Sequence, residues 1–277
     1  MRLAIRHLTR FAYDPPADRC AMRLRLYPST FAAQKVKAWK VTVNGAAVPA
    51  LLTTGFGDKE AIWSCEGPSE LVEIEASGEV ETSDVAGFVK NLKEAARPGV
   101  FLRTTPLTEA DARIETLAKS VSGASALEKM HALCGAVRDA MDAKPASERH
   151  LSAAQALKAG EGSGADHSHV FVSAARVLGV PARFIVGYLL AEEESSGSKP
   201  AETHAWAEAY MSELGWVGFD PMSRLCPTER YVRLASGLDS ADGAPVRGGA
   251  GGRAQETVSA SVDIAEAVSQ SQSQTQQ

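Results

Sequence analysis

Residues 162–188 read GSGADHSHVFVSAARVLGVPARFIVGY, and this stretch decides the fold. Gly162, Ser163 and Gly164 form a flexible entry. Asp166 stands where a helix begins, so its carboxylate can accept from the free N–H groups of the first turn. Val170, Ala174, Val177 and Leu178 recur at i, i+4, i+7 and i+8, the spacing of a buried helical stripe. Gly179 ends the helix and Pro181 keeps it from resuming. The short, apolar run from Arg183 to Tyr188 predicts a buried strand.

Two later pieces belong with this unit: Thr203-His204-Ala205-Trp206-Ala207-Glu208 and Gly215-Trp216-Val217-Gly218-Phe219-Asp220-Pro221. With GVPARFIVGY they resemble the core of the bacterial transglutaminase-like family, whose fold is that of papain-like cysteine proteases. The resemblance implies a Gly-x-Cys-x-Asp-His-x-His turn leading into the helix. Laying Asp166-His167-Ser168-His169 on that pattern puts Gly164 at the position of the nucleophilic cysteine. The resemblance also implies His204 as the base and Asp220 as its orienting partner, with Trp206 and Trp216 bordering the pair. Asp166, His167 and His169 would line the cleft in largely structural roles. No metal site and no cofactor are expected: two histidines two residues apart on a helix face different directions.

The chain has 277 residues, 44% hydrophobic content and a net charge of -5, enough to bury a sizeable core in one or two domains. A pI of about 5.8 argues against a general nucleic-acid binder. No run approaches the roughly 18 apolar residues of a membrane span. The opening MRLAIRHLTRFAY alternates and carries arginines throughout, unlike a signal peptide. A cytoplasmic protein is expected, with no nucleic-acid or membrane partner. Cys20, Cys65, Cys134 and Cys226 form no C-x-x-C pair and no zinc-finger spacing, so reduced thiols are expected.

The fold class expected is α+β: an all-β, sandwich-like domain over residues 1–95, a transglutaminase-like core over 96–264, and a disordered tail over 265–277. In the first part, Leu3, Ile5, His7, Thr9 and Phe11 share one face of a strand and Arg2, Arg6 and Arg10 the other. Asp14-Pro15-Pro16 reads as a turn, and Asn44-Gly45 as a hairpin. Thr108 is expected to cap a first helix. Leu127, Met130, Cys134, Val137 and Met141 predict a second, with Cys134 inside it. Residues 191–202 and the run GLDSADGAPVRGGAGG read as loops. The alternation of Val258, Ala260 and Val262 predicts a last strand of the core.

Acyl transfer from an amide needs a nucleophile, a base, an orienter for the base and an oxyanion donor set. Gly164 supplies no side chain. The reading is therefore a catalytically inactive member that keeps its cleft and binds a peptide or amide ligand or a partner protein. One alternative is an active hydrolase or acyl transferase using Ser163 or a metal. Another is a scaffold whose β domain makes the interface.

Overall fold

The computed structural model describes residues 1–146, 151–190 and 203–267. The expected loop at 191–202 lies outside them, as does the expected tail from 268 onward.

Two very long strands, β1 (Arg2–Leu24) and β5 (Lys59–Thr82), form the spine of the N-terminal sheet. The shorter β2 (Gln34–Val43), β3 (Ala46–Ala47) and β4 (Leu52–Thr53) complete its first part. The alternation read from the sequence holds: Leu3, Ile5, His7, Thr9 and Phe11 are buried. Arg2, Arg6 and Arg10 lie on the open face, where they pair with Glu79, Glu75 and Glu73 across the strand. Such exposed pairs favour register more than stability, each being worth about 0–1 kcal/mol.

The expected turn at Asp14-Pro15-Pro16 is instead part of β1, whose pairing with β5 shifts register between Ala12 and Arg19. The prolines lack an N–H, and they fall where β1 changes partner. Residues 3–14 pair with β14 (Gln255–Glu266), and residues 19–24 pair with β13 (Val246–Gly251). Side chains from both halves, among them Phe11, Met22, Leu24 and Ile74, meet in one core. The sandwich-like layers are thus one seven-stranded sheet folded on itself.

The C-terminal strands correct two expectations. The alternating stretch does form a strand, β14, but on β1 rather than in the core. It runs to Glu266, past the expected start of the tail. The glycine-rich run is not wholly a loop: it contains the short helix α5 (Ser240–Gly243) and β13. Its glycines permit close approach, since a Cβ on Gly248 would lie 2.1 Å from the Ala21 carbonyl oxygen. The N-terminal sheet therefore takes residues from both ends of the described chain.

Between these parts lies the core. It starts with β6 (Phe88–Val89) and a 3₁₀ turn, Pro98–Leu102. Helix α1 (Ala112–Ser120) is capped by Asp111, which accepts from Arg113 and Ile114 N–H, rather than by Thr108. Thr108 is buried and accepts from Arg176 Nη1 at 2.7 Å, so its hydroxyl is already engaged. Helix α2 (Ala126–Ala140) buries Met130, Cys134 and Val137 as expected. The two-residue strands β7 (Asp142–Ala143) and β8 (Glu161–Gly162) pair around α3 (Ala153–Ala159). Helix α4 (Gly164–Val177) follows, ended by Gly179 at φ +76°.

The core sheet has the order β12-β9-β10-β11-β6, built from β9 (Ala182–Leu189), β10 (Thr203–Met211), β11 (Gly215–Phe219) and β12 (Tyr231–Gly237). Its register sorts the side chains into two faces. Ala182, Ala207, Ala209, Val217 and Phe219 join the helices in one apolar cluster. His204, Trp206, Glu208 and Arg183 stand on the opposite face, since Trp206 pairs with Ile185 and Glu208 with Arg183.

Candidate functional site

The site forms where the N-terminus of α4 meets the start of β10. Ser163 caps the helix: its Oγ accepts from Asp166 N, and Asp166 Oδ2 accepts from Ser163 N at 2.8 Å. This reciprocal box fixes Gly164 as the first helical residue. A Cβ built on Gly164 would lie 3.2 Å from His204 Nδ1, 3.0 Å from His204 Cε1 and 3.2 Å from the Ala205 carbonyl oxygen.

On the strand side, His204 Nε2 lies 2.7 Å from Asp220 Oδ2. With Nε2 engaged by the carboxylate, the ring turns its Nδ1–Cε1 edge toward Gly164. Asp220 is buried, and its own position is fixed four ways. Tyr231 Oη donates to Oδ2 at 2.8 Å, and the Met222 and Ser223 N–H groups donate to Oδ1 at 3.1 and 3.3 Å. Burial pushes the carboxyl upward, but the hydrogen bond and charge of His204, with Tyr231 and Ser223, outweigh it and hold Asp220 below its ordinary value. Burial, with the Asp220 charge next, raises the Tyr231 phenol, which stays a donor.

The sequence-predicted residues separate into two groups. His204, Asp220 and Gly164 come together, and Trp206 stacks on His204 with ring centroids 6.4 Å apart. Trp216 does not border the pair. It lies over the Arg183 guanidinium at 3.8 Å and packs edge-on to Phe101. The physical reason is register: Trp216 pairs with Tyr210, at the far end of β10 from His204.

Asp166 is spent on the helix cap. His167 is buried, with Nδ1 2.9 Å from the Ser163 oxygen and Nε2 3.2 Å from the Met141 oxygen. His169 accepts from Ser240 N–H at 3.0 Å, and burial lowers its pKa to about 4. The two rings thus point to different neighbours and tie α4 to the chain around it. Among the described residues, no group of three or more His, Cys, Asp or Glu is arranged to hold a metal ion.

The other candidate nucleophiles are engaged elsewhere. Ser163 Oγ donates to Asp166 Oδ2 at 2.7 Å, and Ser168 Oγ donates to the Gly164 oxygen at 2.7 Å. Cys134 is buried with Sγ 3.6 Å from the Asp220 oxygen, and burial pushes its thiol up to about 12. At neutral pH such a thiol stays protonated and inert.

Sequence reasoning missed the charged cluster beside the site. Arg183 Nε donates to Glu208 at 2.6 Å and Arg183 Nη1 to Glu94 at 2.9 Å. Arg233 Nε donates to the other Glu208 oxygen at 2.9 Å, and its Nη1 to Asp58 at 3.1 Å. Burial opposes the Arg233 charge, but Glu208 and Asp58 overcome it and raise the pKa. The signal was present in HAWAEAY, where period two puts His204, Trp206 and Glu208 on one face.

Comparison with known proteins agrees with this architecture. Residues 115–221 match the Transglutaminase-like superfamily, and residues 3–81 match the Bacterial transglutaminase-like N-terminal region. The chain therefore carries a transglutaminase-like core behind a bacterial transglutaminase-like N-terminal region. The uncharacterized protein ML0607 of Mycobacterium leprae is 26% identical over 277 residues, covering 95% of this chain and 98% of its own. The uncharacterized protein Rv2569c of Mycobacterium tuberculosis is 23% identical over 275 residues, covering 89% and 87%. A candidate cysteine protease from Cytophaga hutchinsonii superposes with a TM-score of 0.73 at 19% identity, covering 96% of this chain and 90% of that one. That likeness is one of fold.

Proposed function

We propose that this transglutaminase-like protein has lost its nucleophile and uses the remaining cleft to hold a peptide or amide ligand, or a partner protein, without cleaving it. One observation carries the reading. His204 is oriented by Asp220 and turns Nδ1 toward a position where the chain has only a glycine hydrogen. The base and its orienter keep the geometry of a thiol-activating pair, and the N-terminus of α4 supplies the field that stabilises a thiolate, of the order of 1 kcal/mol. Neither Ser163 nor Cys134 reaches this place with a free, reactive atom.

The experiment compares wild type with Gly164→Cys, using iodoacetamide labelling read site by site and a pool of amide substrates. The Cβ contacts of 3.0–3.2 Å require the His204 ring to shift by a few tenths of an ångström. Position 164 should then label at least about tenfold faster at pH 7 than any native cysteine, a gain lost in Gly164→Cys/His204→Ala. Steady turnover by wild type that needs His204 would refute the proposal. A Gly164→Cys protein that folds but gains no fast-labelling thiol would show that the pair no longer serves position 164.

A further inference from the structure

A cleft opens between the N-terminal sheet and the face of the core sheet that bears Trp206. Phe31, Phe88, Val89 and Trp206 form apolar walls, and Arg233 lines the cleft beside Glu208. Tyr231, whose hydroxyl donates to Asp220, and Trp206, which stacks on His204, separate this space from the His204–Asp220 pair. Such a cavity, mainly apolar with a few fixed polar groups, has the make-up of a small-ligand site.

Arg233 is where the cleft is chemically incomplete. Its side chain is 3% exposed, and Nε and Nη1 are bonded to Glu208, Ser29 and Asp58. Nη2 is buried without a hydrogen-bond partner among the described residues. A buried guanidinium N–H left unpaired costs about 1–3 kcal/mol, so an incoming acceptor is favoured there. The surrounding charges decide which acceptor. Arg183 and Arg233 stand against Glu94, Glu208 and Asp58, two cations to three carboxylates, a local balance of -1. An anion would meet that excess, whereas a neutral carbonyl takes the hydrogen bond without it.

We propose that this cleft binds an uncharged amide carrying one bulky apolar group, its carbonyl accepting from Arg233 Nη2 and its apolar part lying against Trp206 and Phe88. This rests on the ligand-binding half of the function proposed above, and its test reads binding rather than reactivity. The probes are N-acetyl-phenylalaninamide and its carboxylate counterpart N-acetyl-phenylalanine, titrated into the full chain and followed by saturation-transfer NMR and calorimetry. The amide should bind saturably and at least about tenfold more tightly than the carboxylate. Ser83 is exposed and lines the cleft, so Ser83→Trp plugs its mouth without touching the buried cluster. Amide affinity should drop at least about tenfold in that variant, and likewise in Thr228→Trp, placed elsewhere on the lining. Three results would overturn the assignment: no saturable amide binding, carboxylate bound as tightly as amide, or both plugged variants binding as wild type does. If the plugged variants bind normally and the amide instead protects the Gly164→Cys thiol from alkylation, the ligand sits at the His204 pair. The function proposed above would then stand and the cleft assignment would fall.

Discussion

The two faces of the core sheet differ in what they bury. Toward α4 the sheet offers small or apolar side chains, Ala182, Ala207, Ala209, Val217 and Phe219. The opposite face offers Arg183, Glu208 and Arg233, each nearly inaccessible and each paired. The first face gains stability from apolar area removed from water, about 25 cal/mol per Å². The second gains little net stability from its charges, because desolvation offsets much of their attraction. What it gains is directional: each hydrogen bond fixes one strand against another. The His204–Asp220 pair sits at the end of this second face, where fixed direction matters most.

The sharpest way to break the comparison is Glu208→Ala. It leaves Arg183 and Arg233 facing each other's charge with their shared acceptor gone. Urea denaturation should show a loss of about 3–5 kcal/mol. A loss near that of an ordinary surface substitution would mean that the two faces are held alike.

Acid sharpens it. His169, on α4 against Phe184, and His7, hydrogen-bonded to Tyr188 at 3.0 Å, both contact the apolar side of the sheet. Burial lowers each from 6.5 to about 4. In that window the unfolded chain binds protons that the folded chain refuses, so stability falls as pH drops from about 6.5 to 4. The expected loss is about 3 kcal/mol for each histidine by pH 4. Glu208 works in the opposite range. Burial pushes its carboxyl up, yet Arg183 and Arg233 prevail and hold it below the ordinary value. Its contribution is present above the ordinary carboxylate range and fades only as pH falls through the depressed value. The apolar face should therefore weaken first. Denaturation midpoints at pH 7.5, 5.5 and 4.5 test this order, and a flat profile down to pH 4.5 would contradict it.

The smallest effect belongs to the helix cap. Ser163→Ala removes one side of the box at the start of α4 and should cost about 1 kcal/mol in thermal or urea unfolding. Gly164→Cys/Ser163→Ala should still label at position 164, because Ser163 points into the cap and not at His204.

The apolar face was legible in the sequence because it obeys a period. Val170 and Ala174 announced α4, although Val177, expected in the same buried stripe, is exposed at the end of the helix, and Met130, Cys134 and Val137 announced α2. His204, Asp220 and Gly164 were legible through motifs, and the fold brings them together. Trp216 was misplaced because a motif gives residue types but not register. Tyr231 and Arg233 were missed because β12 carries no motif and the contacts they make, to Asp220 and Asp58, span 11 and 175 residues. The strand at Gln255–Glu266 was found by alternation but assigned to the wrong sheet; of its alternating Val258, Ala260 and Val262 the last alone is buried, so alternation marked a strand without telling its partner or what covers it.

That pairing has a consequence for how the protein is made. The sheet that holds β1 draws on residues 2–82 and 246–266, with the core between them. On the ribosome, β1 emerges before the core and waits, one edge bare, until the core and then β13 and β14 have been synthesised. A long unpaired edge is a template for pairing with other chains. The arginines and glutamates along β1 and β5 keep that waiting surface charged, which disfavours association with a neighbouring nascent chain before its own last strand arrives.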